Sequence, residues 1–175
     1  MRAALPTVGL APDPAVPGRD VLLDGAEMAD RLAGLMAADG AVEVDGYERG
    51  RVKYRVGDSL RVVHELEISG TRWIVASRTF RDGRSESVYE RALATARPVG
   101  PLRGVAYDPE LETVFWTFPN DRKIATLDAL VAGTDAVSRL VGRPVAKTLL
   151  AAYAPEKAAT AACFDELSGR PVAYA

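Results

Sequence analysis

Met28, Leu32, Leu35 and Met36 recur at helical spacing, which predicts an amphipathic helix over about 26–38. Asp24, ahead of Gly25-Ala26-Glu27, can accept from the first free backbone N–H groups, and Gly40 supplies a stop. The period then changes to two. Val42 and Val44, then Val52, Tyr54 and Val56, then Leu60, Val62, His64, Leu66 and Ile68 alternate with polar neighbours and predict strands. Ser69-Gly70, between the runs 60–68 and 73–80, has the composition of a tight hairpin turn.

Beyond the polar turn Arg81-Asp82-Gly83-Arg84, Ser87 and Glu90 make a Ser-x-x-Glu capping box, which predicts a helix over 86–97 that Pro98 and Pro101 end. Strands follow at 102–107 and 113–118 around the turn Asp108-Pro109-Glu110, and Phe118-Pro119-Asn120-Asp121 breaks the pattern. One interrupted helix or two short ones, 127–131 and 136–141, flank Gly133-Thr134-Asp135. Period-two segments return at 145–153 and 159–167, with Ser168-Gly169 as a hairpin turn and 171–175 as the beginning of a further strand. Laying 54–76 over 153–175 without gaps gives identities at Tyr54/Tyr153, Glu67/Glu166, Ser69/Ser168, Gly70/Gly169 and Ala76/Ala175. Composition alone gives about one or two. The segment reads as an internal repeat, against the alternative of chance likeness between two Ala/Val-rich hairpins.

Of the 175 residues, 48% are hydrophobic and 26% charged, with a formal net charge of −2, so a packed core is within reach. That balance lacks the clustered basic excess that nucleic acid or an anionic membrane surface demands. No run of about 18 apolar residues occurs, so no membrane span is expected. A single cysteine, Cys163, and a single histidine, His64, cannot build a structural zinc site. Residues 1–19, broken by four prolines, read as a flexible leader in a cytoplasmic protein, and the excess of arginine and alanine suggests a GC-rich bacterial genome.

Three strands, a helix, two strands and a break is the element order of the small lobe of kinase-like phosphotransferases, and Val75-Ala76-Ser77-Arg78 resembles the Val-Ala-x-Lys of its third strand. The chain resembles the aminoglycoside phosphotransferase family over about 50–125, with the helix bearing Ser87-Val88-Tyr89-Glu90 and the segment Pro101–Leu111 in matching order. The resemblance implies that Arg78 replaces the lysine that reaches nucleotide phosphates and that Glu86 or Glu90 steadies it. It further implies that Ala76 and Trp116 line the nucleotide slot, with Phe118-Pro119-Asn120-Asp121 as hinge. ATP and magnesium are the implied cofactors in a complete protein, and the implied acceptor is a hydroxyl of a sugar or aminoglycoside-like molecule. His64 is followed by Glu65-Leu66, so no His-x-Asp is present, and no catalytic or magnesium-binding aspartate has a candidate. The chain alone is expected not to catalyse.

Each candidate has a plainer reading. His64 shares the apolar face of 60–68 and reads as a core histidine; Cys163 reads as a buried thiol; Trp73 and Trp116 read as core aromatics. Asp108, Glu110 and Glu112 read as a polar turn, not a metal site. Arg78 as a packing ion pair is the alternative to Arg78 on phosphate. The expected fold is α+β: a kinase-like small lobe with a mostly antiparallel sheet of about five strands and a packed helix over 20–126, then a helical connection and truncated second hairpin over 127–175. The favoured function is the nucleotide-binding small lobe of a phosphotransferase, or a degenerate copy. The alternative is a non-catalytic interaction module that docks on a partner or self-associates through an uncovered sheet face.

Overall fold

The computed structural model describes residues 10–124, 126–164 and 171–174. Helices α1 (Arg19–Leu23) and α2 (Gly25–Leu35) precede three long strands, β1 (Gly46–Arg55), β2 (Ser59–Ile68) and β3 (Thr71–Phe80). Helix α3 (Arg84–Leu93) leads to β4 (Val105–Asp108) and β5 (Thr113–Thr117). Then come α4 (Leu127–Val131), α5 (Thr134–Val141), β6 (Lys147–Ala154), β7 (Ala158–Phe164) and β8 (Pro171–Tyr174). The fold is α+β. An antiparallel five-stranded sheet has the order β1-β2-β3-β5-β4, and a separate three-stranded sheet has the order β6-β7-β8.

The alternation along β2 and β3 gives the large sheet two different faces. On one, Leu60, Val62, Leu66 and Val75 pack with Phe115 against Met28, Leu32 and Met36 of the N-terminal helices. On the other, α3 lays Val88 over Phe80, Val105, Val114 and Trp116. A helix therefore covers each face, where the sequence predicts one helix across the sheet. Arg31 fastens α2 to the β4–β5 turn, with Nη1 donating to Asp108 Oδ2 at 2.5 Å and Nη2 to Glu110 Oε2 at 2.9 Å.

The Ser69-Gly70 turn forms as expected, with φ of 51° and 72° at its two residues, the left-handed pair that matches strand twist in a two-residue hairpin. Three expectations differ. Val42 and Val44 lie outside any strand and pack from a loop onto the core. Helix α3 begins ahead of Ser87, after Gly83, and Ser85 is the buried serine: its hydroxyl accepts from Phe80 N at 3.1 Å and donates to the Glu112 carbonyl. Residues 10–19, placed in the leader by composition, are packed against the sheet. Val16 is buried, Tyr54 Oη donates to Asp13 Oδ2 at 2.5 Å, and Gly57 N donates to the same oxygen at 2.9 Å.

The second sheet is covered by α4 and α5, through Leu127 and Leu130 on Ala161 and Val137 on Cys163 and Val145. It repeats the geometry of the first. In β1–β2 Tyr54 faces Leu60 and Arg55 faces Ser59; in β6–β7 Tyr153 faces Ala159 and Ala154 faces Ala158, every pair shifted by 99 positions. The shared offset extends to the turns, where Gly57 has φ 70° and Glu156 has φ 57°. An aspartate ahead of each helix pair is matched as well, here 108 positions apart. Tyr153 Oη donates to Asp121 Oδ2 at 2.9 Å and Glu156 N donates to it at 2.8 Å, the bonds that Tyr54 and Gly57 make to Asp13. Asp13 lies six residues ahead of α1, as Asp121 lies six ahead of α4. The repeat thus includes the helices, beyond the 23 residues the sequence alignment spans. Its Ser168-Gly169 turn, Glu166 and Ala175 lie outside the described residues.

Candidate functional site

β2 and β3 run antiparallel with Arg61 opposite Arg78 and Val63 opposite Ala76, while β5 places Val114 beside Arg78 and Trp116 beside Ala76. These side chains share the α3 face of the sheet, because residues two apart on a strand point the same way. Two arginines directly opposite each other repel. The β6–β7 turn resolves this by inserting Glu156 between them.

Glu156 is almost wholly buried, its side chain 5% exposed. Its Oε2 accepts from Arg78 Nη1 and forms an ion pair with Arg61 Nη2 at 2.9 Å, and its Oε1 accepts from Arg122 Nε at 2.5 Å. Arg78 also lies over the Phe80 ring at 4.2 Å, a cation–π contact, and its Nε is buried without a partner. Burial pushes the Arg78 guanidinium down from its ordinary value against the opposing pull of Glu156, yet an arginine stays charged at any working pH. Asp121 holds the turn from below. Its Oδ1 accepts from Lys123 N at 2.8 Å and Ile124 N at 3.1 Å, so with Tyr153 and Glu156 it satisfies four donors. Desolvation, followed by the Asp121 charge, holds the Tyr153 phenol well above its usual range.

Ala76, Arg78 and Trp116, the residues that the resemblance places around a nucleotide, do come together. The space between them is filled by Tyr153, Pro155 and Glu156, and a cavity of about 10 Å³ remains, enough for about one water. Glu86 and Glu90 are not among the partners of Arg78. The carboxylate it reaches is Glu156, 78 positions later in the chain. The reason is the phase of α3: Ser85, Val88, Tyr89 and Ala92 turn to the sheet, which leaves Glu86 and Glu90 exposed. Glu156 carries one sequence signal that could have found it. In the repeat alignment it falls on Gly57, a charged residue where a left-handed turn favours glycine.

A groove of about 540 Å³ opens beside this cluster, between Ala92 and Ala96 on one side and Asn120, Arg122 and Asp128 on the other. Trp116 forms its floor, and the indole N–H is buried without a partner. Asn120 closes one end, with Nδ2 donating to the Arg97 carbonyl at 3.0 Å and Oδ1 accepting from Arg97 N at 2.8 Å.

The remaining candidates are structural. His64 is fully buried, with Nε2 2.8 Å from Ser77 Oγ and Nδ1 2.9 Å from Tyr47 Oη, and burial pushes its pKa down to about 3. Cys163 is a buried free thiol. Asp108 binds Arg31 and the N–H groups of Glu110 and Leu111, and among the described residues no group of three or more His, Cys, Asp or Glu is placed to hold a metal ion. Among the described residues no helix is long and apolar enough to cross a membrane.

Comparison with family models, with curated protein sequences and with solved structures finds no match to the chain.

Proposed function

We propose that the chain is a degenerate small lobe of the phosphotransferase type, working as a non-catalytic docking module that seats the β6–β7 hairpin beside α3 on its sheet through Glu156. One observation carries this reading: the strand cation Arg78, with Arg61 and Arg122, is spent on the buried carboxylate of Glu156. The position that would meet a phosphate meets instead an anion supplied by the chain. Both Glu156 oxygens accept from guanidinium donors and Asp121 is satisfied by four, so neither is free to take a proton from an acceptor hydroxyl. No step of phosphoryl transfer is assigned to the described residues.

The test follows the indole N–H of Trp116 by NMR while adenosine and then magnesium ATP are added to the chain. The docking reading expects no saturable shift at Trp116 with adenosine. A saturable shift, abolished by Arg78→Ala and kept by Arg78→Lys, overturns it in favour of a nucleotide-binding lobe.

A further inference from the structure

Eighteen of the 22 basic residues are arginines and only four are lysines, Lys53, Lys123, Lys147 and Lys157. Three of these four line one concave pocket of about 160 Å³, where the end of β1, the start of β2 and the β6–β7 turn meet. Arg55, Arg61 and Ser59 complete the wall. The one carboxylate in the lining, Glu156, is turned inward and already carries Arg61, Arg78 and Arg122. Arg55 has Asp58 at a loose 3.8 Å, and Lys53, Lys123 and Lys157 form no ion pair with a carboxylate among the described residues.

The cations are brought together by backbone geometry. The β1–β2 register sets Lys53 directly opposite Arg61, and the docked turn carries Lys157 onto Lys53. The Lys157 ammonium beside it, then Arg55, desolvation and Arg61 hold the Lys53 ammonium below its ordinary value. Lys53 is half-buried, and Lys123 and Lys157 reach the same pocket from exposed positions at its edge.

We propose that this pocket binds a small phosphate-bearing anion, which bridges the first sheet and the β6–β7 turn. A phosphoryl group is compact, doubly charged and accepts from several N–H donors at once, as three ammoniums and two guanidiniums around one cavity require. The volume holds a phosphoryl group with a few waters. A nucleic acid or membrane needs an extended basic surface, whereas this chain is net −2 and these cations line one small pocket. Of the residues around Arg78 the pocket shares Arg61 and the Glu156 carboxylate, and its three lysines lie outside that cluster, so the test at Lys53 and Lys157 is separate from that at Arg78.

The experiment is calorimetric titration of the full 175-residue chain with inorganic phosphate, tripolyphosphate and ATP, with sodium chloride holding the ionic strength constant. One-to-one binding is expected, weakened at least tenfold by Lys53→Gln with Lys157→Gln and unchanged by Lys147→Gln, which lies outside the pocket. Because the double variant removes a repulsion, its melting temperature without added anion should be equal to or above that of the parent. Preference for tripolyphosphate identifies a polyphosphate as the source and equal affinity a single phosphoryl group; either supports the site. ATP binding that the double variant abolishes also supports it, and a simultaneous adenosine shift at Trp116 would then overturn the docking reading alone. Binding no stronger than that of chloride, or binding the double variant retains, overturns the proposal.

Discussion

The β1–β2 and β6–β7 hairpins share strand register, turn geometry and an anchoring aspartate, yet they are stabilised differently. At the core positions where the first has Leu60 and Val62, the second has Ala159 and Ala161, and His64 is matched by Cys163. The two alanines alone forgo about 4 kcal/mol of apolar burial relative to leucine and valine. The first sheet is completed by β5 and β4 and clad on both faces; the second has α4 and α5 and its own tip. The difference is one of self-sufficiency. A backbone plan can be reused with a thin core when the copy gains its remaining stability by inserting a charged turn into its predecessor.

The strongest way to break this picture is Glu156→Ala. It leaves Arg78 and Arg61 facing each other without a counter-charge, and the expected loss is about 3 kcal/mol by urea denaturation. Hydrogen exchange should quicken across 158–164 before it does across 59–68. Unchanged protection in the second hairpin would refute the dependence on docking.

Next comes pH. His64 belongs to the first sheet, and its folded pKa is about 3 against about 6.5 when unfolded. The unfolded chain therefore takes up the proton first as pH falls, and the stabilising effect of the neutral ring is complete above about 6.5 and lost toward 3. About 1.5 kcal/mol should disappear between pH 6.5 and 5. Denaturation curves at each pH, with NMR showing an imidazole that does not titrate above pH 4.5, check this; a titration midpoint near 6.5 in the folded protein contradicts it.

The turns offer a finer comparison. Gly57→Ala meets no neighbour within 4 Å, so its cost is backbone strain alone at φ 70°, about 1 kcal/mol. Glu156→Gly relieves the equivalent strain but removes the carboxylate, so it should lose stability by about 1 kcal/mol less than Glu156→Ala. Equal losses would show that the left-handed backbone at Glu156 carries no strain. Smallest of all, Tyr54→Phe and Tyr153→Phe each remove one hydrogen bond to the anchoring aspartate and should cost about 0.5 to 1 kcal/mol apiece. A difference above 1 kcal/mol between them, read by thermal melting, would show that the matching networks are not equivalent in strength.

Local patterns carried most of the architecture: the period-two runs at 60–68 and 73–80, the Ser69-Gly70 turn and the 127–131 helix all match elements. What escaped was set by partners far along the chain. Residues 10–19 look like a leader because Asp13 and Val16 acquire their contacts only when Tyr54 and the sheet are present. Val42 and Val44 alternate like a strand, but β1 already ends the sheet on that side. Ser87 reads as the cap on sequence, but α3 starts after Gly83 with no side-chain cap, and Ser85 instead ties the helix start to the end of β3. Arg78 was legible as a cation needing a carboxylate; the nearest helix offered two, and a turn 78 positions away supplied the one used. The comparison of the repeats held the clue, in a glutamate aligned with a glycine.

That distance sets an order of events during synthesis. The five-stranded sheet is complete in sequence by residue 117, whereas the carboxylate that answers Arg61 and Arg78 is translated later. At about 5 to 20 residues per second, the stretch from Thr117 to Glu156 takes roughly 2 to 8 s to emerge. In that interval Arg61 and Arg78 lack the counter-charge of Glu156, which only the arrival of the chain's own second hairpin supplies.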